Sequence, residues 1–185
     1  GRGGVVENIY ISDIYMFNIA TDSFLFDLFY GGKSASEALA DGDTTPTGEP
    51  VFPVTEETPV FKNIYVKDLV SRNARRAMFF NGLPEMNIEN IHLENAFITA
   101  RFGAEFSESR DIILQNVTVI PEEGPAYLFH NVKNFKGESL GYEINEPAKA
   151  AQITGESTSD VHLSGLPKEL VNIASDVNKE QVIFK

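Results

Sequence analysis

Cysteine is absent from all 185 residues, which excludes disulfides and thiol chemistry while fixing no compartment. No apolar run reaches the roughly 18 residues that a membrane-spanning helix needs, so no membrane partner is expected. Cations are scarce: 15 Lys and Arg stand against 27 Asp and Glu, a formal charge of −12. Nucleic acid, which demands a basic surface, is therefore excluded as a partner. Self-contained catalytic signatures are missing as well. There is no Gly-x-Ser-x-Gly elbow, no phosphate-binding loop and no dinucleotide fingerprint, so no cofactor is expected. His92, His130 and His162 have no second His at metal-ligand spacing and read as strand residues, which leaves no expected metal site. Asp41-Gly42-Asp43 is the nearest approach to the paired carboxylates of glycosidic hydrolysis, and it reads as a solvated loop tip.

What the chain does contain is a recurring motif. It appears as Glu7-Asn8-Ile9-Tyr10-Ile11-Ser12-Asp13-Ile14, Lys62-Asn63-Ile64-Tyr65-Val66-Lys67-Asp68-Leu69, Glu89-Asn90-Ile91-His92-Leu93-Glu94-Asn95-Ala96 and Arg110-Asp111-Ile112-Ile113-Leu114-Gln115-Asn116-Val117. Weaker echoes follow at His130-Asn131-Val132 and Ser159-Asp160-Val161-His162-Leu163. The first Asn or Asp positions lie 55, 27, 21, 20 and 29 residues apart. A period in the twenties indicates a solenoid, and the first gap fits a coil carrying an insertion.

Within each copy the apolar residues alternate at period two and are mostly β-branched, which describes strands and excludes helical repeats. Asn at fixed places beside each strand suits corners, because it tolerates left-handed backbone and bonds locally. Stacked in register, such side chains are placed to bond along the coil axis. The spaced leucines of leucine-rich repeats are missing, so an all-β parallel β-helix, a β-solenoid of about five to seven coils, is expected. Thr21 to Tyr30, Arg76 to Gly82 and Ile98 to Gly103 read as second strands, with Gly82 and Gly103 at turns before the next rung. The 14 Phe residues suit interior ladder packing.

The organisation expected is a single β-helical unit over 1–185: a first coil at 1–30, an inserted loop at 31–60, regular coils at 61–137, and irregular last coils with a C-terminal cap at 138–185. Pro46, Pro50, Pro53 and Pro59 close off regular structure in the insertion, where Ala35 to Ala40 suits one helical turn. Arg72, Arg75, Arg76 and Arg101 offer either a basic patch or surface ion pairs, with ion pairs favoured. Asn116-Val117-Thr118 matches a glycosylation sequon by chance, since it lies in a strand motif.

The opening Gly1-Arg2-Gly3-Gly4-Val5-Val6-Glu7-Asn8-Ile9-Tyr10-Ile11-Ser12-Asp13-Ile14, the Phe29-Tyr30 strand end and Phe80-Asn81-Gly82-Leu83-Pro84-Glu85-Met86-Asn87-Ile88 resemble the C-terminal part of glycoside hydrolase family 28. The resemblance to this polygalacturonase-like family is spread over about residues 1–135. It implies a right-handed helix, an extracellular or periplasmic, secreted protein, and pectic polysaccharide or oligosaccharide as partner. The family works through an Asn-Thr-Asp segment, an Asp-Asp pair, a Gly-His-Gly and an Arg-Ile-Lys. None occurs here, so the resemblance implies a chain starting just downstream of the catalytic coils and inactive by itself, with no catalytic residue of its own.

By position the resemblance carries over Tyr30, as an aromatic against sugar, and more weakly Arg2, as a guanidinium for a uronate carboxylate. The resulting expectation is the C-terminal portion of an inverting, two-carboxylate pectin hydrolase. The alternative is a non-catalytic β-solenoid that binds carbohydrate or serves as a structural module. Self-association through an exposed N-terminal coil is expected from its unpaired strand edge.

Overall fold

A strand that must take a left-handed residue every five positions turns a corner there instead of running on. In the computed structural model, which describes residues 3–29, 51–143 and 149–185, the repeated Asn and Asp residues are these corners. Asn63, Asp68 and Asn73 have φ of 56°, 55° and 60°, and Asn8, Asp13 and Asn18 match them at 58°, 57° and 55°. Asn90, Asn95, Asp111, Asn116, Asn131 and Asp160 continue the series. Asn and Asp visit this region at lower cost than other side chains, which explains their fixed places.

Among the described residues eleven strands form one parallel sheet that winds around the core. They are β1 (Gly4–Phe17), β2 (Asp22–Asp27), β3 (Pro59–Asn81), β4 (Ile88–Ser107), β5 (Ser109–His130), β6 (Lys133–Glu138), β7 (Gly141–Tyr142), β8 (Ala151–Thr154), β9 (Ser159–Leu163), β10 (Val171–Ile173) and β11 (Val182–Phe184). β3, β4 and β5 each run through the corners with little interruption, so the two separate strands read from sequence in each regular coil are one bent strand. Pairing is in register, with Ile9 beside Ile64, Ile64 beside Ile91 and Ile91 beside Ile112. The column continues through Phe135 and Val161 to Val182, seven positions in all. This is a parallel β-helix.

Each corner resets which residues face inward. Ile64 and Val66 are buried before Asp68, then Leu69 and Ser71 after it, while Lys67 and Arg72 stay outside. Burial of such an aliphatic side chain is worth about 1.5–3 kcal/mol, so the interior columns supply the main stabilisation. Phenylalanines form one of them, with Phe26–Phe80 and Phe80–Phe106 centroids 4.9 Å apart and Phe106–Phe129 at 5.5 Å. Ser71, one of several buried polar residues, bonds the buried Ser23 hydroxyl at 2.7 Å.

Corner amides bond along the axis. Asn63 Nδ2 donates to Asn8 Oδ1 at 3.3 Å, Asn90 to Asn63 at 2.7 Å, Asn73 to Asn18 at 2.6 Å and Asn134 to Asp111 at 2.6 Å. Asn95 stands mid-ladder, donating to Asp68 at 2.9 Å and accepting from Asn116 at 3.0 Å. The sequon asparagine, Asn116, is thus a ladder member. Asn95→Ala is expected to lose roughly 2–3 kcal/mol, since a left-handed alanine costs about 1–2 kcal/mol and the lost bonds about 1. Asn95→Gly keeps the corner and should lose only the amide share. Urea unfolding separates the two, and equal losses would place the stability in the amide alone.

Two glycines answer to crowding. A Cβ at Gly82 would lie 2.0 Å from the Glu108 carbonyl oxygen, and one at Gly103 2.2 Å from that of Pro125. Gly82 follows β3 directly. Gly103 lies inside β4 where the register with β5 shifts, and not at a turn as the spacing suggested. Pro59 likewise opens β3 instead of ending the insertion, because its ring suits the first position of a strand. Ala35 to Ala40 and Asp41 to Asp43 lie outside the described residues. Past β5 the strands shorten, and two 3-10 turns, Lys168–Leu170 and Lys179–Gln181, interrupt the last coils.

Candidate functional site

Alternation that sends Ile9, Ile64, Ile91 and Ile112 inward sends the next residue of each rung outward. Register therefore stacks Tyr10, Tyr65, His92 and Ile113 in one external column, and two residues on it stacks Ser12, Lys67, Glu94 and Gln115 in a second. Between them runs an open groove of about 380 Å³, floored by the Ile11, Val66 and Leu93 positions. Corners at 8 and 13, 63 and 68, and 90 and 95 bound the face that carries it.

The aromatic column is closely stacked. Tyr10 and Tyr65 are nearly parallel, 6° between planes and 4.9 Å between centroids, and His92 follows at 4.9 Å with its ring tilted 43° from that of Tyr65. Tyr65 thus has a ring neighbour on either side, whereas Tyr10, 74% exposed, has one among the described residues. Asn90 ties the column to the corner ladder: its Nδ2 donates to Tyr65 Oη at 3.2 Å and its Oδ1 accepts from His92 Nε2 at 3.0 Å. Partial burial lowers the His92 pKa from 6.5, favouring a neutral ring at physiological pH.

The polar column is nearly self-neutralised. Lys67 Nζ lies 3.1 Å from Glu94 Oε1, and Glu94 first, then Asp68 and Asp13, raise the lysine pKa and hold it charged. Within the groove lining Glu94 balances the charge of Lys67, while Asp68 and Asp13 add negative charge at the flanking corners. A site of stacked rings beside adaptable polar groups suits a neutral, hydroxyl-rich ligand lying along the axis. Among the described residues that line the groove Glu94 is the one carboxylate, and it is engaged with Lys67.

No family model, curated protein or solved structure matches this chain.

Arg2 and Tyr30, the residues singled out for sugar contact, lie outside the described residues. The four arginines divide. Arg76 pairs with Asp22 at 2.8 Å and Glu105 at 3.0 Å, and Arg101 with Glu123 at 2.9 Å. Arg72 and Arg75 lie over the Phe97 and Phe102 rings at 5.2 Å and 5.8 Å, so the group is mostly paired and stacked. His130 bonds Thr154 Oγ1 at 3.0 Å and His162 pairs with Asp160 at 2.7 Å. Among the described residues no group of three or more His, Asp or Glu converges as a metal site. No helix there is long and apolar enough to cross a membrane.

The groove is not marked in the sequence because its residues fill the variable slots of the motif. A signal was present nonetheless: read down the copies, the slot after the conserved Ile holds Tyr10, Tyr65, His92 and Ile113.

Proposed function

We propose that this chain is the substrate-supporting, C-terminal portion of a pectin-active, polygalacturonase-like glycoside hydrolase, with the acid and base of an inverting cleavage carried on coils that precede it. The observation that carries the proposal is the groove, an axial track of stacked rings and hydrogen-bonding side chains on a parallel β-helix. The motif resemblance supplies the substrate class and a secreted setting. The Lys67–Glu94 pair in the groove, flanked by Asp68 and Asp13 on a −12 chain, favours weakly charged or esterified pectic segments over fully ionised galacturonan.

A second proposal, a non-catalytic carbohydrate-binding solenoid, is favoured by the pairing of Glu94 with Lys67. Both expect no hydrolysis by this chain alone and retention on pectic oligosaccharides. Tyr10→Ala should weaken that retention by roughly threefold to tenfold, the worth of one aromatic contact. Reducing-sugar release and calorimetric titration test this directly. Turnover by the isolated chain would sink both proposals, and binding indifferent to Tyr10 and Lys67 substitutions would remove the groove from either. Restoration of turnover by the preceding coils favours the hydrolase.

A further inference from the structure

Cations beside the groove are matched rung by rung as far as Arg110. Just before the corner asparagines, register stacks Glu7, Lys62, Glu89, Arg110 and Lys133, so charge alternates along the axis until the last step, where a cation follows a cation. Lys62 pairs with Glu7 at 3.4 Å, Arg110 with Glu89, and Lys67 with Glu94. Lys133 and Lys136, on either side of the Asn134 corner, form no ion pair among the described residues. Like charges on neighbouring rungs cost stability, and Ser159, which follows Lys133 in the column, brings no carboxylate to relieve them.

Register also puts Lys136 on the axis of the groove. The outward column of Tyr10, Tyr65, His92 and Ile113 continues to Lys136 and then to His162. Lys136 is exposed, whereas His162 is tied to Asp160 at 2.7 Å. Tyr65 and Lys136 are separated by the His92 and Ile113 rungs, which places them about 14 Å apart at the usual 4.7–4.9 Å between paired strands. In the polar column Gln115 is followed by Glu138, also exposed. A ligand laid along the rings therefore meets an uncharged aromatic end, then the apolar Ile113, then an ammonium group with a carboxylate in the next column.

We propose that Lys136 is a specificity-determining residue of the track, binding one free carboxylate on a pectic oligosaccharide whose esterified units lie along Tyr10, Tyr65 and His92. The inference rests on the reading of the groove as a sugar track and narrows its substrate class to partly esterified chains, with the acidic unit toward the C-terminal coils. A lysine suits the task, because its flexible stem lets a compact charge follow the ligand. Lys133 reinforces its field, and Glu138 repels a second carboxylate beside the first, which limits the preference to a single acidic unit.

The test is calorimetric titration of the full chain with three forms of one galacturonide oligosaccharide: the full methyl ester, and the two isomers with a single free carboxylate at one end or the other. One isomer should bind about threefold to fivefold more tightly than the full ester, the worth of an exposed charge pair, and the gain should shrink as salt rises. Lys136→Gln should erase that gain. Glu138→Gln should enlarge it about twofold, an opposite sign that a merely structural role would not produce. Tyr10→Ala should weaken all three forms alike, which reports on the track itself. Equal binding of the three forms, or a gain that survives Lys136→Gln, would overturn the inference and leave the track standing. Binding of none of them would overturn both.

Discussion

Phe106→Ala is expected to cost about 3–5 kcal/mol, the range for deleting a large side chain from a packed core. Phe106 is fully buried in β4, with Phe80, Phe129 and Phe135 at centroid distances of 4.9, 5.5 and 5.6 Å. The neighbours cannot collapse into the space, because each is fixed to its own rung by strand pairing. For a chain of this size the loss corresponds to a fall in melting temperature of roughly 6–20 °C. Phe106→Leu should recover more than half, since it refills most of the volume. Phe17→Ala, at a position 59% exposed, should change stability by no more than about 0.5 kcal/mol. Thermal and urea unfolding of the three variants provide the check. A Phe106→Ala loss below about 1 kcal/mol would mean that the column is not a principal source of stability.

Arg76→Ala should have a comparable effect for a different reason. The guanidinium lies 3.8 Å over the Phe79 ring, donates to Glu105 Oε2 and approaches Asp22 Oδ1 at 2.8 Å, with Arg76 and both carboxylates largely buried. That last contact is an ion pair that gives the buried Oδ1 its charge partner. Removing Arg76 strips two largely buried carboxylates of their shared cation, a change worth about 3–5 kcal/mol. Replacing the whole group, as Asp22→Asn, Arg76→Met and Glu105→Gln together, should restore most of it.

The pH dependence of this loss has a definite sign. Burial raises the Asp22 pKa above 3.8 and outweighs the opposing pull of Arg76 and Arg75. A raised carboxyl pKa means that the folded chain holds the proton more tightly. Its contribution is full below the unfolded value and is lost as pH rises through the folded one. Without Arg76 the value rises further, so the variant should be most destabilised near neutrality and recover toward pH 4. Urea midpoints across that interval give the test, and a loss independent of pH would assign the role of Arg76 to packing on Phe79.

The corners were legible in the sequence because a left-handed backbone position narrows the choice of residue so sharply that Asn8, Asn63 and Asn90 recur in plain view. The inward columns were legible for a related reason, since β-branched alternation survives from rung to rung. The third corner, at Asn18 and Asn73, was not marked, because it lies beyond the eight residues over which the copies align. The groove depended on a comparison across copies that the variable slots discourage. The partners of Arg76 had no local signature, since Asp22 and Glu105 lie 54 and 29 residues from it in sequence and are brought to it only by the stacking of Asp22 beside Arg76 and Arg76 beside Phe102.

Corner residues also make the faces of the solenoid separately editable. Since alternation restarts after every left-handed position, an exchange of outward residues between Asn63 and Asp68 leaves the inward assignments of Leu69 and Ser71 unchanged. The Tyr10, Tyr65, His92 and Ile113 column is therefore a replaceable surface on a fixed frame. Its ligand preference can drift, or be redesigned, without renegotiating the core behind it.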